Sequence, residues 1–280
     1  MPDEDDDLSE TLQFVAAGRR PAARARIANS SDTRAFLDTG LELLRQDLFD
    51  HTGPDDENSP RPSVLFRSLS RPRLIEAGNR LRVSGRLPPG TMTTDGQFRD
   101  RWRYADEFAE DLVSYLFRFY PYAQQMKMVR ASIESGPLKD ASLATLIESL
   151  SAAEIDRSTA DTASTLRTLV QWALPNHPRV RELAVATYRD QRIPAWAGVY
   201  EFIGSRYGLF LKAEYSWIDV AELLNTMVEG ASLRAVLDKN LVTLASGGNV
   251  LSTSIRLMLP ALLEDGTSNM SFESMYPIRS

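Results

Sequence analysis

The stretch TTDGQFRDRW, residues 93–102, decides how the rest of the chain is read. As a helix starting near Thr93 it sets Phe98, Trp102 and Ala105 three to four residues apart on one face. Thr93, Gln97, Arg101 and Tyr104 fall on another face, with Arg99 and Arg103 at its flank. The first face packs, and the second offers hydrogen-bond donors. Glutamine pairs bidentately with adenine, arginine with guanine or phosphate, and threonine hydroxyls with phosphates or base edges. Any amphipathic surface helix has a polar face of this kind, so the flanking segments have to decide between packing and groove reading.

Upstream, TRAFLDTGLELLRQDLF places Phe36, Leu37, Leu41, Leu44 and Leu48 at helical spacing, with Ser31 or Asp32 as N-cap. Residues 51–63 have loop composition, rich in Pro, Gly and acids. A second helix runs from about Ser70 to Val83, with Pro72 in its first turn and Leu74, Ile75, Ala77, Gly78 and Leu81 as its packing stripe. GRLPPGTM, 85–92, is a turn, and YADEFAEDLVSYLF continues at 104–117. That order is the order of a three-helix helix-turn-helix module followed by a connecting helix. Downstream, helical stripes are broken at Pro121, Gly136-Pro137, Pro175, Pro178, Pro194, Gly208 and Gly247-Gly248, which is the pattern of a helical bundle. The fold class expected is all-α: a helix-turn-helix DNA-binding domain, 31–105, then a ligand-binding and dimerisation bundle, 106–265. Residues 1–30 read as an acidic then basic flexible arm and 266–280 as a tail.

Charge is unevenly spread. The 280 residues carry a net charge of −6, yet residues 61–103 hold ten arginines against Glu76, Asp95 and Asp100, a local +7. Arg19, Arg20, Arg24 and Arg26 add a second basic patch without acids. Such footprints serve phosphate binding even on an anionic protein. There is no cysteine, which excludes disulfides, thiolate metal sites and cysteine nucleophiles, and fits a reducing cytoplasm. MPDEDDDLSE is not a secretory leader, and no run is long enough to span a membrane. A soluble, cytoplasmic protein is expected.

The residues also resemble the TetR family of bacterial transcription regulators. TRAFLDTGLELL is similar to that family's first helix, and TTDGQFRDRWRYADEFAEDL to its recognition helix and the start of helix four. Gly96, Phe98, Trp102, Asp106 and Phe108 fall at its glycine, apolar, aromatic, acidic and apolar positions. DVAELLNTMVEGASLRAVLD, 219–238, resembles its penultimate helix, with Glu229, Gly230 and Arg234 matching an E-G-x-x-x-R-like pattern. The chain departs in the long connection 49–69, in the intervening GRLPPGTM, in Arg99 where a tyrosine is common and in Ala105 where a lysine is common. The resemblance implies a bacterial repressor that binds a double-stranded operator as a homodimer and is released by a small apolar or amphipathic effector.

On that reading Thr93, Thr94, Gln97 and Arg99 meet base edges, while Arg71, Arg73, Arg101 and Arg103 fix the backbone register. The arginine-rich arm enters the minor groove or tracks phosphates. Trp172, Tyr188, Trp196, Tyr200 and Tyr207 are the candidate ligand contacts, because tyrosine and tryptophan suit apolar pockets that need an orienting donor. The helices expected at 217–237 and 249–263 are the candidate dimer elements, through Ile218, Leu223, Leu224, Met227 and Val228 and through Ile255, Leu259 and Leu262. No enzyme, cofactor or metal site is expected. His51 and His177 lack a helical partner at i+4, there is no G-x-S-x-G and no P-loop, and DEDDD at 3–7 reads as a solvated charge run. The alternative is a helical ligand-binding or protein-interaction module whose helix-turn-helix is degenerate and does not bind DNA.

Overall fold

The computed structural model describes residues 6–49, 66 and 69–264. Among them the regular elements are all helical, with strand-like pairing confined to isolated bridges at Leu211–Leu263 and Thr243–Asn249. In chain order they are α1 (Leu8–Thr11), α2 (Pro21–Ala28), α3 (Ser31–Phe49), α4 (Arg71–Val83), α5 (Asp95–Arg101), α6 (Ala105–Leu116) and α7 (Tyr120–Glu134). Then come α8 (Leu143–Ala160), α9 (Thr162–Ala173), α10 (Pro178–Ala186), a π-helical turn (Thr187–Arg192), α11 (Ile193–Tyr207), α12 (Trp217–Leu237), a 3₁₀ turn (Lys239–Val242) and α13 (Val250–Leu262). The loop 51–63, Arg61, Arg67, His51 and the tail 266–280 lie outside the described residues.

Two compact units divide the chain: Met1–Arg118 with Leu166–Ala184, and Phe119–Thr165 with Val185–Ser280. The division differs from the expected cut near residue 105, because α6 packs on α3 and belongs to the first core. The centre of that core is aromatic. Phe36, Phe98, Trp102 and Phe108, from α3, α5, the end of α5 and α6, are all buried with ring centroids 4.9 to 5.8 Å apart. Edge-to-face pairs of this kind add about 0.5–1.5 kcal/mol beyond the area they bury. Gly40 lets α6 approach α3, since a Cβ there would lie 2.9 Å from Phe108 Cζ and from Leu112 Cδ2.

The expected flexible arm is folded instead. Leu8, Leu12 and Val15 are fully buried, and Asp111 of α6 explains why. Its carboxylate, itself fully buried, accepts the backbone N–H groups of Gln13 (2.6 Å), Phe14 (3.0 Å) and Val15 (2.7 Å) and the Trp102 indole N–H (2.8 Å). Burial pushes this carboxyl up from its ordinary value, and the four donated hydrogen bonds oppose that shift. The N-terminal segment is thus pinned by a residue nearly a hundred positions away. Asp6 adds an ion pair with Arg34 (2.7 Å), and Asp7 caps α1.

The second unit is built from α7, α8, α11, α12 and α13. Local chemistry marks their ends: Ser142 caps α8, Ser216 and Asp219 form a capping box on α12, and Asn249 caps α13. Gly208, at φ 63°, ends α11 in the left-handed conformation, and Leu209 N–H reaches back to Gly204 O at 2.8 Å. The same α11 packs closely on α12 because a Cβ at Gly204 would overlap the ring of Trp217. Pro194 lacks an N–H and its ring would press on the carbonyl of Asp190; the widened turn Thr187–Arg192, where Ile193 N–H bonds Tyr188 O, relieves that crowding.

Candidate ligand cavity and nucleic-acid interface

The helices of the second unit enclose a cavity of about 580 Å³. Sites for drug-sized ligands span roughly 300–1,000 Å³ and are mostly apolar with a few placed polar groups. This wall has that character. Leu143, Leu146, Ile147 and Leu150 of α8 face Ile203 of α11, Val220, Leu224 and Val228 of α12, and Leu251, Ile255 and Leu259 of α13. Met128, on the wall, is also exposed.

The polar groups sit among these. Glu154 is committed: it accepts Arg157 Nε at 3.0 Å and Gln125 Nε2 at 2.8 Å. Arg157 also reaches Asp161 at 3.4 Å. Arg192 is less completely used. It donates to Glu229 at 2.9 Å and lies 5.1 Å from the ring centroid of Tyr122, while its buried Nε has no partner among the described residues. The buried Ser151 hydroxyl has none among them either. Tyr200 stacks on Trp196 at 5.5 Å, and desolvation, reinforced by the nearby Glu154, pushes its phenol above the usual tyrosine range. It therefore stays protonated and able to donate.

Of the five aromatic residues singled out as ligand contacts, Trp196 and Tyr200 line the cavity. The other three do not. Trp172 belongs to the first unit and is 72% exposed. Tyr188 donates its hydroxyl to Glu222 at 2.6 Å, and Tyr207 donates to Ala141 O at 2.8 Å. Clustering in sequence brought these five together, but from the π-helical turn into α11 the residues that line the cavity recur every three to four positions. Arg192, Trp196, Tyr200 and Ile203 follow one another by four, four and three residues. That periodicity would have found Arg192.

The helices expected to pair two protomers also form this wall. Leu224, Val228, Ile255 and Leu259 line the cavity, Leu262 is buried with Val220 and Leu224, and Met227 packs in the same unit. Ile218 and Leu223 remain exposed.

In the first unit, α5 turns a different face outward from the one expected. Gln97 Nε2 donates to Asp32 of α3 at 3.1 Å, and with Thr94 it closes the capping box that starts α5. Arg101 donates to Thr33 Oγ1 (2.9 Å), Gln97 O (2.9 Å), Ser30 Oγ (3.2 Å) and Asp32 (3.3 Å), and its side chain is only 9% exposed. Thr93 is buried against Gly78, where a Cβ would come within 2.8 Å of Thr93 Cβ. Arg73 is paired with Asp47. Thr93, Gln97 and Arg101 therefore hold α5 onto α3 and α4, a role that sequence alone did not separate from base reading. Asp32 was the missing signal, since it serves as an acceptor for three groups, Met92 N–H included, and not as an N-cap.

Gly96, Arg99 and Asp100 are the exposed residues of α5, flanked by exposed Thr94 before it and exposed Arg103 and Tyr104 after it. The Arg99 side chain is 63% exposed, and Asp95 bridges it (2.8 Å) and Arg71 (2.7 Å). Arg103 lies over the Tyr104 ring at 5.4 Å. Between α4 and α5 run residues 84–94, a longer connection than the three to four residues of a compact helix-turn-helix.

No family model matches this chain, and neither a curated protein nor a solved structure matches it. No described helix is long and apolar enough to cross a membrane.

Proposed function

We propose that the chain is a small-molecule sensor whose second unit binds an apolar or amphipathic ligand and whose first unit is a TetR-like DNA-binding domain that answers to it. The observation that carries this reading is the apolar cavity of about 580 Å³ inside a helical unit, with donors left open on its wall. On the DNA side, the contacts fall to the exposed arginines: Arg99 and Arg103 at α5, Arg80 and Arg82 at the end of α4, and Arg19 and Arg20 before α2. Base reading by Gln97 and Arg101 is replaced by positioning, because both are held by Asp32. Two copies would read two half-sites, joined through exposed apolar residues such as Ile218, Leu223 and Leu257.

The internal pairing of Arg73, Gln97 and Arg101 favours a second reading, a ligand-binding module with a degenerate helix-turn-helix. Binding of the purified protein to DNA from upstream of its own coding region, across a salt series, separates the two. The first reading expects sequence-selective binding, and Arg99→Ala and Arg103→Ala should each lower the slope of log affinity against log salt by about one. Absence of selective binding at low salt rejects it in favour of the second.

A further inference from the structure

We propose that the ligand of this cavity is an amphiphile with one anionic head, a monocarboxylate, seated against Arg192 and Tyr200 with its apolar body along α8, α12 and α13. The proposal rests on the reading of the cavity as a ligand site and names the chemistry of its occupant.

Three observations lead to it. First, charge: the wall carries two arginines, Arg157 and Arg192, against one acid, Glu154, so the cavity has an excess positive charge. Glu154 and Arg157 neutralise one another at 3.0 Å, which leaves the excess on Arg192. Its partner Glu229 is not part of the wall, and the Glu229 side chain is 44% exposed, so water weakens that pair. Second, hydrogen bonding: the buried wall atoms without a partner among the described residues can both donate. Among the described residues Arg192 Nε and Ser151 Oγ are buried without partners, and the Tyr200 phenol on the same wall keeps its proton. An oxygen-rich, proton-free head satisfies all of these groups, whereas a cationic or donor-rich head is refused by Arg192, which has donors only. Third, position: Arg192 and Tyr200 are two turns apart on one face of the helix, with Trp196 between them, so a head group there leaves the aliphatic remainder of the cavity to a single apolar body.

The test compares decanoate with decan-1-ol, two probes with the same alkyl length and different heads, followed by tryptophan fluorescence because Trp196 and Trp217 are on the wall. Wild-type protein should bind decanoate about tenfold or more tighter than the alcohol, and each should displace the other. Arg192→Met should bring that ratio to about one with alcohol affinity unchanged, since a charge-assisted bond is lost and the apolar contacts are kept. Tyr200→Phe, which removes a single hydroxyl and so threatens folding least, should lower only the decanoate affinity, by about threefold to tenfold. If the alcohol binds wild-type protein as tightly as decanoate, or if both variants keep the wild-type ratio, the anionic head is refuted and the cavity remains a ligand site of other specificity. If neither probe binds, the cavity reading itself fails and this proposal with it.

Discussion

Asp111 in the first unit and Ser151 in the second are both buried polar side chains on helices, and the protein treats them differently. Asp111 accepts four hydrogen bonds and ties the N-terminal segment, α5 and α6 into one core. Ser151 makes none among the described residues and borders a cavity. An unsatisfied buried hydroxyl costs about 1–3 kcal/mol. A fold that leaves such a group at the edge of an apolar void keeps it for something that arrives later, whereas a group satisfied four times over is a fixture. The contrast belongs to these two positions and to the cavity beside one of them, since buried guanidinium Nε atoms without a hydrogen bond among the described residues occur in both units, at Arg24, Arg34 and Arg118 in the first and at Arg192 in the second.

Four experiments sharpen or break this contrast. The largest effect is expected for Asp111→Ala, which strands three backbone N–H groups and an indole N–H in the core; chemical denaturation should show a loss of about 3 kcal/mol or more. A loss below about 1 kcal/mol would mean that water replaces the carboxylate and that Asp111 is no keystone. Next is a matched pair, Gly78→Ala and Gly204→Ala. Both glycines are helical, so both substitutions gain about the same propensity, roughly 0.5–1 kcal/mol. Both added methyls would collide with a neighbour, Thr93 in one case and Trp217 in the other. Thr93 is buried in packed surroundings, but Trp217 faces the cavity and can swing into it. Gly78→Ala should cost about 1–3 kcal/mol net, and Gly204→Ala less, with a changed tryptophan emission. Equal costs would argue that the cavity wall is as rigid as the first core.

A smaller gain is expected from Ser151→Ala. Removing the unpartnered hydroxyl should raise the stability of the unliganded protein by up to about 1 kcal/mol, read from the denaturation midpoint. Destabilisation instead would show that the hydroxyl has a partner after all. The last prediction concerns pH. Hydrogen bonds from Arg45, opposed by burial and seconded by Arg86 and Gln46, hold the Glu42 carboxyl down at about 2, against an ordinary 4.5. A depressed carboxyl contributes stability above its unfolded pKa and loses it as pH falls through the folded one. Wild type should therefore exceed Glu42→Gln in melting temperature above about pH 4.5, and the gap should close towards about pH 2. A gap that persists unchanged through that window would assign the difference to packing.

Much of the helical framework was legible in the sequence, because it is written in short-range chemistry. Pro72 in the first turn of α4, the stripe of Leu143, Leu146, Ile147 and Leu150 on α8, and the Pro and Gly breaks all lie where the helices begin, pack or end. What covers an apolar stripe was not legible. The periodicity of Leu224, Val228, Ile255 and Leu259 announces a face, and a neighbouring helix, a second protomer and an internal cavity all call for the same residues. Polar partners were hidden for a related reason. Gln97 and Arg101 have the side chains of a reading face, and only the sixty-odd residue return to Asp32 reveals that they point inward. The N-terminal segment resembled a flexible arm because Asp111, which holds the backbone of Gln13, Phe14 and Val15, lies far along the chain.

That anchor has a consequence for synthesis. Gln13 and Asp111 are 98 positions apart, so at roughly 5–20 residues per second the N-terminal segment leaves the ribosome about 5–20 s before the carboxylate that pins it. During that interval Leu8, Leu12 and Val15 are apolar residues without a core to enter, and a nascent-chain chaperone has something to hold.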